Sequence, residues 1–235
     1  MDEDDRVNVP LGAFPRILAA FRARHVFPAM LAVLLSACAT PPAPFDYTAY
    51  RANRPRSILV LPPVNHSLEV DAPPSLLSVI TVPLAESGYY VIPVTLSEEA
   101  FRQNGVTVAA EAQGLPPARL REIFGADAAL YLSIERYGVS YRLIDSVVEV
   151  ALTARLIDLA SGQELWHGRH AIAMGNNHNS RGLAYMLVNA LISQIANNLG
   201  DRAHEAARIA SGRLFSAGYR NGMLLGPYHP GYGTD

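Results

Sequence analysis

The sequence predicts an α/β domain built on a mixed parallel and antiparallel sheet flanked by helices. Three observations carry this reading. First, "SILVLPP" (57–63), an apolar-periodic stretch from Ser75 to Gly88 and "YYVIPV" (89–94) read as strand, helix and strand with tight connections, which close as a right-handed crossover and a parallel pair. Second, "SVVEVALTARLID" (146–158) alternates: Val148, Val150, Leu152, Ala154 and Leu156 point one way, and Glu149, Thr153 and Arg155 the other. Third, "ELWHGRHAIA" (164–173) returns after a turn at Gly162 as the antiparallel hairpin partner, with Trp166 and Ile172 on one face.

The chain has 235 residues, 50% hydrophobic and 17% charged with a formal net charge of -2, enough for one full-sized domain with appendages. All 19 basic residues are arginines; they read as scattered and are balanced by 21 acidic residues, which argues against a nucleic-acid footprint. A single cysteine excludes an internal disulfide framework and a cysteine-rich zinc site.

That cysteine explains the amino-terminal region. Arg16, Arg22 and Arg24 precede "VFPAMLAVLLSA" (26–37), an apolar run too short to span a bilayer but suited to a secretory h-region. The run ends in Leu35, Ser36, Ala37 and Cys38, a quartet that resembles a bacterial lipobox. The resemblance implies signal-peptidase recognition at Leu35, Ser36 and Ala37, cleavage before Cys38, and a covalent lipid on its sulfur. The other reading is an ordinary buried Cys in a core helix. The start, "MDEDDRVNVPLGAF", is long and acidic for a signal peptide, and a start codon placed too early is the simplest explanation. Residue 39 is Ala rather than Asp, which by the sorting rule of such lipoproteins directs the protein to the periplasmic leaflet of the outer membrane. Two or three acyl chains make a lasting anchor without a transmembrane helix.

The expected organisation is therefore a signal peptide over 1–37, a lipid-anchored Pro-rich tether over 38–56, a periplasmic domain over 57–217 and a Gly/Pro/Tyr-rich tail over 218–235. At ~3.1 Å per residue the tether would hold the domain up to roughly 50 Å from the membrane. Within the domain, Leu76, Leu77, Ile80 and Leu84 recur at helical spacing, with Gly88 at the carboxyl end and Pro83 kinking the last turn. Two short helical segments follow, "LSEEAFRQN" and "PPARLREIFG", the second opened by Pro116 and Pro117. "ADAALYLSIERYG" then begins the later strands. After the turn-rich "GNNHNS", Leu183, Leu187, Leu191, Ile195 and Leu199 predict a long helix that packs on the sheet. A weaker amphipathic helix runs from about Asp201 to Ala217. The tail reads as a loosely packed end, with an interaction arm as the alternative.

The lipobox, "SILVLPPVNHSLEV", "GYYVIPV", "GADAALYLSIERYG" and "LIDLASGQELWHG" together resemble a family of Gram-negative lipoproteins of unknown function, typified by a meningococcal vaccine-candidate lipoprotein. The resemblance covers most of the chain after Cys38. It implies a domain similar to the amino-terminal domain of TolB, related to the periplasmic domain of the secretion lipoprotein CsgG and to lipoprotein activators of peptidoglycan synthases. Such relatives bind proteins or build assemblies. The resemblance carries no active site onto Pro62, Pro63, Asn65, Ser67, Leu165, Trp166 or Gly168.

Enzyme chemistry finds little to work with. The sequence shows no G-x-S-x-G elbow, phosphate loop or dinucleotide fingerprint. His167 and His170 fall on opposite faces of a strand, and His178 reads as a loop residue. The best remaining cluster is His66, Glu69 and Asp71, on the loop at the carboxyl end of the first strand, where open α/β sheets bind ligands. The alternative is that Asn65 and Ser67 cap the turn and Asp71 shapes it. The expectation is a non-enzymatic, membrane-anchored subunit or adaptor of an envelope assembly or transport system. It has envelope proteins as partners, homo-oligomerisation in keeping with the resemblance, and no cofactor or metal beyond the lipid on Cys38. The rivals are a CsgG-like secretion-channel subunit, for which only 146–173 could supply a membrane hairpin, and a periplasmic metal-dependent hydrolase using His66.

Overall fold

The computed structural model describes residues 45–141, 146–175, 199–219 and 221–234. The signal peptide, the lipobox with Leu35, Ser36, Ala37 and Cys38, His178 and, but for Leu199, the helix expected over 181–199 lie outside the described residues.

The mixed sheet is as the sequence predicts. Its strands are β1 (Ser57–Val60), β2 (Val64–Asn65), β3 (Tyr90–Val91), β4 (Ala128–Tyr141), β5 (Ser146–Asp158) and β6 (Glu164–Gly175). They are arranged in the order β3-β1-β4-β5-β6, with β2 also on β4. β3, β1 and β4 run parallel, and β4, β5 and β6 form an antiparallel meander. Strand β1 is buried on both faces, as parallel strands are: Ile58 and Val60 enter one core, Leu59 and Leu61 another.

The helices are α1 (Thr48–Asn53), α2 (Ala72–Glu86), α3 (Val94–Gln103), α4 (Ala109–Gly114), α5 (Pro117–Phe124) and α6 (Leu199–Phe215). On one side of the sheet, α2 and α6 cover the larger core. Leu76, Ile80 and Leu84 from α2, and Ala203, Ala206, Ala207 and Ala210 from α6, meet the inward residues of β4 and β5 and Trp166 of β6. Phe101 of α3, Ala112 of α4 and Leu120 of α5 close the smaller core over Leu59, Leu61 and Ala129.

Proline chemistry moves several boundaries. Helix α2 starts before Ser75 because Pro73 and Pro74 occupy its first turn, where a missing N–H costs nothing, and it runs through Pro83 to Glu86. Pro93 precedes α3, so the strand expected over 89–94 shrinks to Tyr90–Val91. Pro62 and Pro63 interrupt β1 and β2. Between Val60↔Leu130 and Val64↔Ser133 the first chain advances one residue more than β4. The Gln113 amide fills the gap, donating to Pro62 O at 2.9 Å and to Leu132 O at 2.8 Å.

Two segments expected outside the domain are part of it. The compact unit spans Phe45–Asp235. From the expected tether, α1 lies against β6 and sends Tyr50 into the core at 2% exposure. The tail is packed rather than loose, with Met223 fully buried and Gly226 N–H donating to Ser87 O at 2.7 Å. Glycine permits this approach: a Cβ on Gly226 would overlap the Gly88 carbonyl, and one on Gly88, whose φ is +86°, would overlap His229.

Candidate functional site

The loop that carries His66, Glu69 and Asp71 closes on itself. The Asn65 carboxamide accepts from Ser67 N–H and Oγ–H at 3.0 and 2.7 Å and donates to Glu69 O at 2.8 Å. His66 is exposed, and its N–H donates to Ile134 O. Glu69 lies along Gly138, and Asp71 precedes α2 without a side-chain bond to the helix. Among the described residues no three His, Cys, Asp or Glu side chains are grouped to hold a metal ion. The turn-shaping alternative describes Asn65 and Ser67. The loop instead presents Leu68 and Val70 to solvent, at 100% and 86% exposure.

The two histidines of β6 part as expected. His167 faces solvent beside Glu164, with Nδ1 and Oε1 2.8 Å apart. His170 points inward against the edge of Tyr219, its Nε2 without a partner among the described residues.

Two adjoining cavities lie at the other end of the sheet, where β1 and β4 begin and β5 ends. One, of about 290 Å³, is lined by Tyr50, Tyr89, Arg51, Arg54 and the carboxyl-terminal segment from Leu224 to Gly233. A second, of about 750 Å³, shares Arg54, Pro227 and Tyr232 with the first and adds Arg56, Arg121 and Tyr228. Local sequence places each of these groups. Arg54 ends α1 in the left-handed region, φ 46°, its N–H donating to Tyr50 O and its Nε to Arg51 O at 3.1 Å. Arg56 immediately precedes β1, and Arg121 sits in the last turn of α5. The hydroxyls of Tyr50 and Tyr89 meet at 2.8 Å beneath them.

Two carboxylates line the larger cavity, and both are spent on structure. Asp127 Oδ2 accepts from the N–H groups of Arg56 and Ser57, and Asp158 Oδ2 accepts from Ser161 N–H and Oγ–H. Among the described residues Arg54, Arg56 and Arg121 make no ion pair. Guanidinium groups beside tyrosine rings suit an anionic group carried on an amphipathic surface. The signal was present in the sequence as "RANRPR" (51–56), where three of six residues are arginine, but it lay inside the stretch read as tether. No helix among the described residues is long and apolar enough to cross a membrane.

Comparison with known proteins adds three findings. Residues 45–228 match the family model described as "Putative lipoprotein GNA1162-like". "Putative lipoprotein NMB1124/NMB1162" of Neisseria meningitidis serogroup B is 45% identical over 194 residues, covering 82% of this chain and 90% of the relative. The crystal structure of lipoprotein GNA1162 from Neisseria meningitidis is 46% identical, with a TM-score of 0.50, and the match covers 61% of this chain and all of that one. The matched region begins at Phe45, the residue at which the compact unit begins.

Proposed function

Because the chain belongs to the GNA1162-like lipoprotein family, we propose that it is anchored through Cys38 in the periplasmic leaflet of the outer membrane. There it serves as a non-enzymatic subunit or adaptor of an envelope assembly or transport system. The observation that carries this reading is the juxtaposition of a lipobox quartet at 35–38 with a domain that starts seven residues on, at Phe45. The secretion-channel rival needs a hairpin free to enter a barrel. Strand β5 is committed elsewhere, since Val148, Val150, Leu152, Ala154 and Leu156 are buried in the larger core. The outward face of β5 and β6 is open and polar, with Arg155, His167 and Arg169 exposed, as suits a surface that meets proteins.

The test is crosslinking in intact cells, affinity purification from detergent-solubilised membranes and mass spectrometry, with Cys38→Ser as control. Recovery of a defined set of envelope proteins by the wild type, lost together with the membrane fraction in the control, is expected. Recovery of the protein alone would remove the adaptor reading and favour a self-assembled complex.

A further inference from the structure

We propose that the arginine and tyrosine cleft is a membrane-docking face, seating phospholipid phosphates of the leaflet in which the protein is anchored. The inference rests on the lipid-anchor reading above and adds the orientation of the domain.

Tether length is the first argument. With Phe45 packed edge-on against His167, ring centroids 5.1 Å apart, the chain that links anchor to domain is not the nineteen residues of 38–56 but the seven steps from Cys38 to Phe45. Fully extended, these reach at most about 25 Å. His167 is level with Arg155, and Arg155 with Tyr131. From Tyr131 the cleft end of β4, at Ala128, is three residues away, or roughly 10 Å. Gly138, against which the His66 loop packs, is seven residues the other way, or roughly 23 Å. Helix α1 runs from beside His167 toward Gln163, which Asn53 approaches at 3.5 Å, and so leads from the anchored end to the cleft. The tether thus reaches the cleft end with slack and the opposite end only when it is almost fully extended.

Chemistry is the second argument. Arg54, Arg56 and Arg121 line one cavity together with Asp127 and Asp158 and make no ion pair among the described residues, so the lining presents a net positive charge to an outside anion. A basic residue near an anionic bilayer is worth about 1 kcal/mol, roughly a five-fold factor in affinity for each arginine. Tyr228 and Tyr232, at 66% and 39% exposure, stand beside them. Tyrosine is the residue that favours the headgroup region, with an apolar ring and a polar tip.

The test uses the mature protein purified from membranes. It is placed in nanodiscs of phosphatidylethanolamine and phosphatidylglycerol, in maltoside micelles, and in maltoside micelles with inorganic phosphate, and followed by hydrogen exchange and mass spectrometry. Exchange over residues 51–56 and 227–233 is expected to slow several-fold in nanodiscs alone. Arg56→Ser combined with Arg121→Ser is expected to restore fast exchange there with an unchanged melting temperature. Equal exchange in nanodiscs and micelles, or protection confined to the His66–Asp71 loop, would overturn the docking face. Protection by inorganic phosphate in micelles would overturn it in favour of a soluble-anion site. The mass of the Cys38 peptide in the same digest tests the premise separately: an unacylated cysteine would remove the anchor reading, and the docking face with it.

Discussion

Tyr89 donates its one hydroxyl proton to Leu224 O at 2.6 Å, so Tyr50, whose hydroxyl lies 2.8 Å from the Tyr89 hydroxyl oxygen, is the donor of that pair. The order of this relay ties α1, the end of the first crossover and the carboxyl-terminal segment together. It also makes the two tyrosines unequal. Tyr89→Phe removes the donor to the Leu224 carbonyl and the acceptor of the Tyr50 hydroxyl and is expected to cost about 1–3 kcal/mol, whereas Tyr50→Phe leaves the bond from Tyr89 to Leu224 in place and is expected to cost about 1 kcal/mol or less. Urea denaturation of the two variants checks the ordering, and a larger loss for Tyr50→Phe would show the relay runs the other way.

Gln113 substitutes for the N–H groups that Pro62 and Pro63 lack, with one amide nitrogen serving two carbonyls. Gln113→Leu keeps the bulk and loses both bonds, so a destabilisation of about 1–3 kcal/mol is expected. Gln113→Glu is expected to be worse at neutral pH, because an ionised carboxylate sets acceptors against acceptors. Equal stability of wild type and Gln113→Leu would show that water serves the two carbonyls as well as the amide does.

These examples show where the sequence was legible. Alternation in β5 and the hairpin partner β6 were readable because period-2 burial leaves one face apolar, and the observed register pairs Leu156 with Trp166 as that pattern requires. The Gln113 bridge was not, because nothing local marks a glutamine on a short helix as the partner of a proline break. The cleft was hidden for a similar reason: Arg54 and Arg56 come from a segment whose prolines suggested a tether, and Tyr228 and Tyr232 from a tail whose glycines suggested loose packing. In both segments Gly and Pro mark close approach and fixed turns rather than freedom.

Gly168 lies under the Trp166 ring, and a Cβ there would overlap that ring and stand 2.8 Å from Leu214 Cδ1. Gly168→Ala is therefore expected to overpack the core and cost about 1–3 kcal/mol. Trp166 is the sole tryptophan and is fully buried, so its fluorescence reads the change directly. A red-shifted emission with a lowered melting temperature is expected, and an unchanged spectrum would mean that α6 yields without cost.

His170 makes stability depend on pH. Burial first, and Arg213 second, hold its imidazole below the ordinary histidine range. The unfolded chain then binds the proton more readily than the folded one, so this contribution is complete above about pH 6.5 and is lost as pH falls toward the depressed folded value. His170→Gln is expected to flatten the decline in melting temperature below pH 6.5. A wild-type melting temperature that rises on acidification through this range would reverse the assignment.

The carboxyl-terminal segment supplies the most decisive contrast, because a loosely packed tail and an integral one predict opposite results. Asn221 O accepts from Trp166 Nε1 at 2.9 Å, Gly222 O accepts from the Tyr47 hydroxyl at 2.6 Å, and Leu224 O accepts from Tyr89. Three aromatic donors from three parts of the fold thus bond to carbonyls within four residues of this one segment, and Met223 among them is fully buried. Truncation after Gly218 would leave all three without acceptors at about 1–3 kcal/mol for each one that water cannot reach, and would uncover the core beneath Met223. The sum rivals the 5–15 kcal/mol by which a typical domain is stable, so the truncated protein is expected to be largely unfolded. Its Trp166 emission should approach that of the denatured chain at room temperature. A truncated protein that melts within about 5 °C of the full chain, a shift worth on the order of 1–2 kcal/mol, would instead identify the segment as an appended arm.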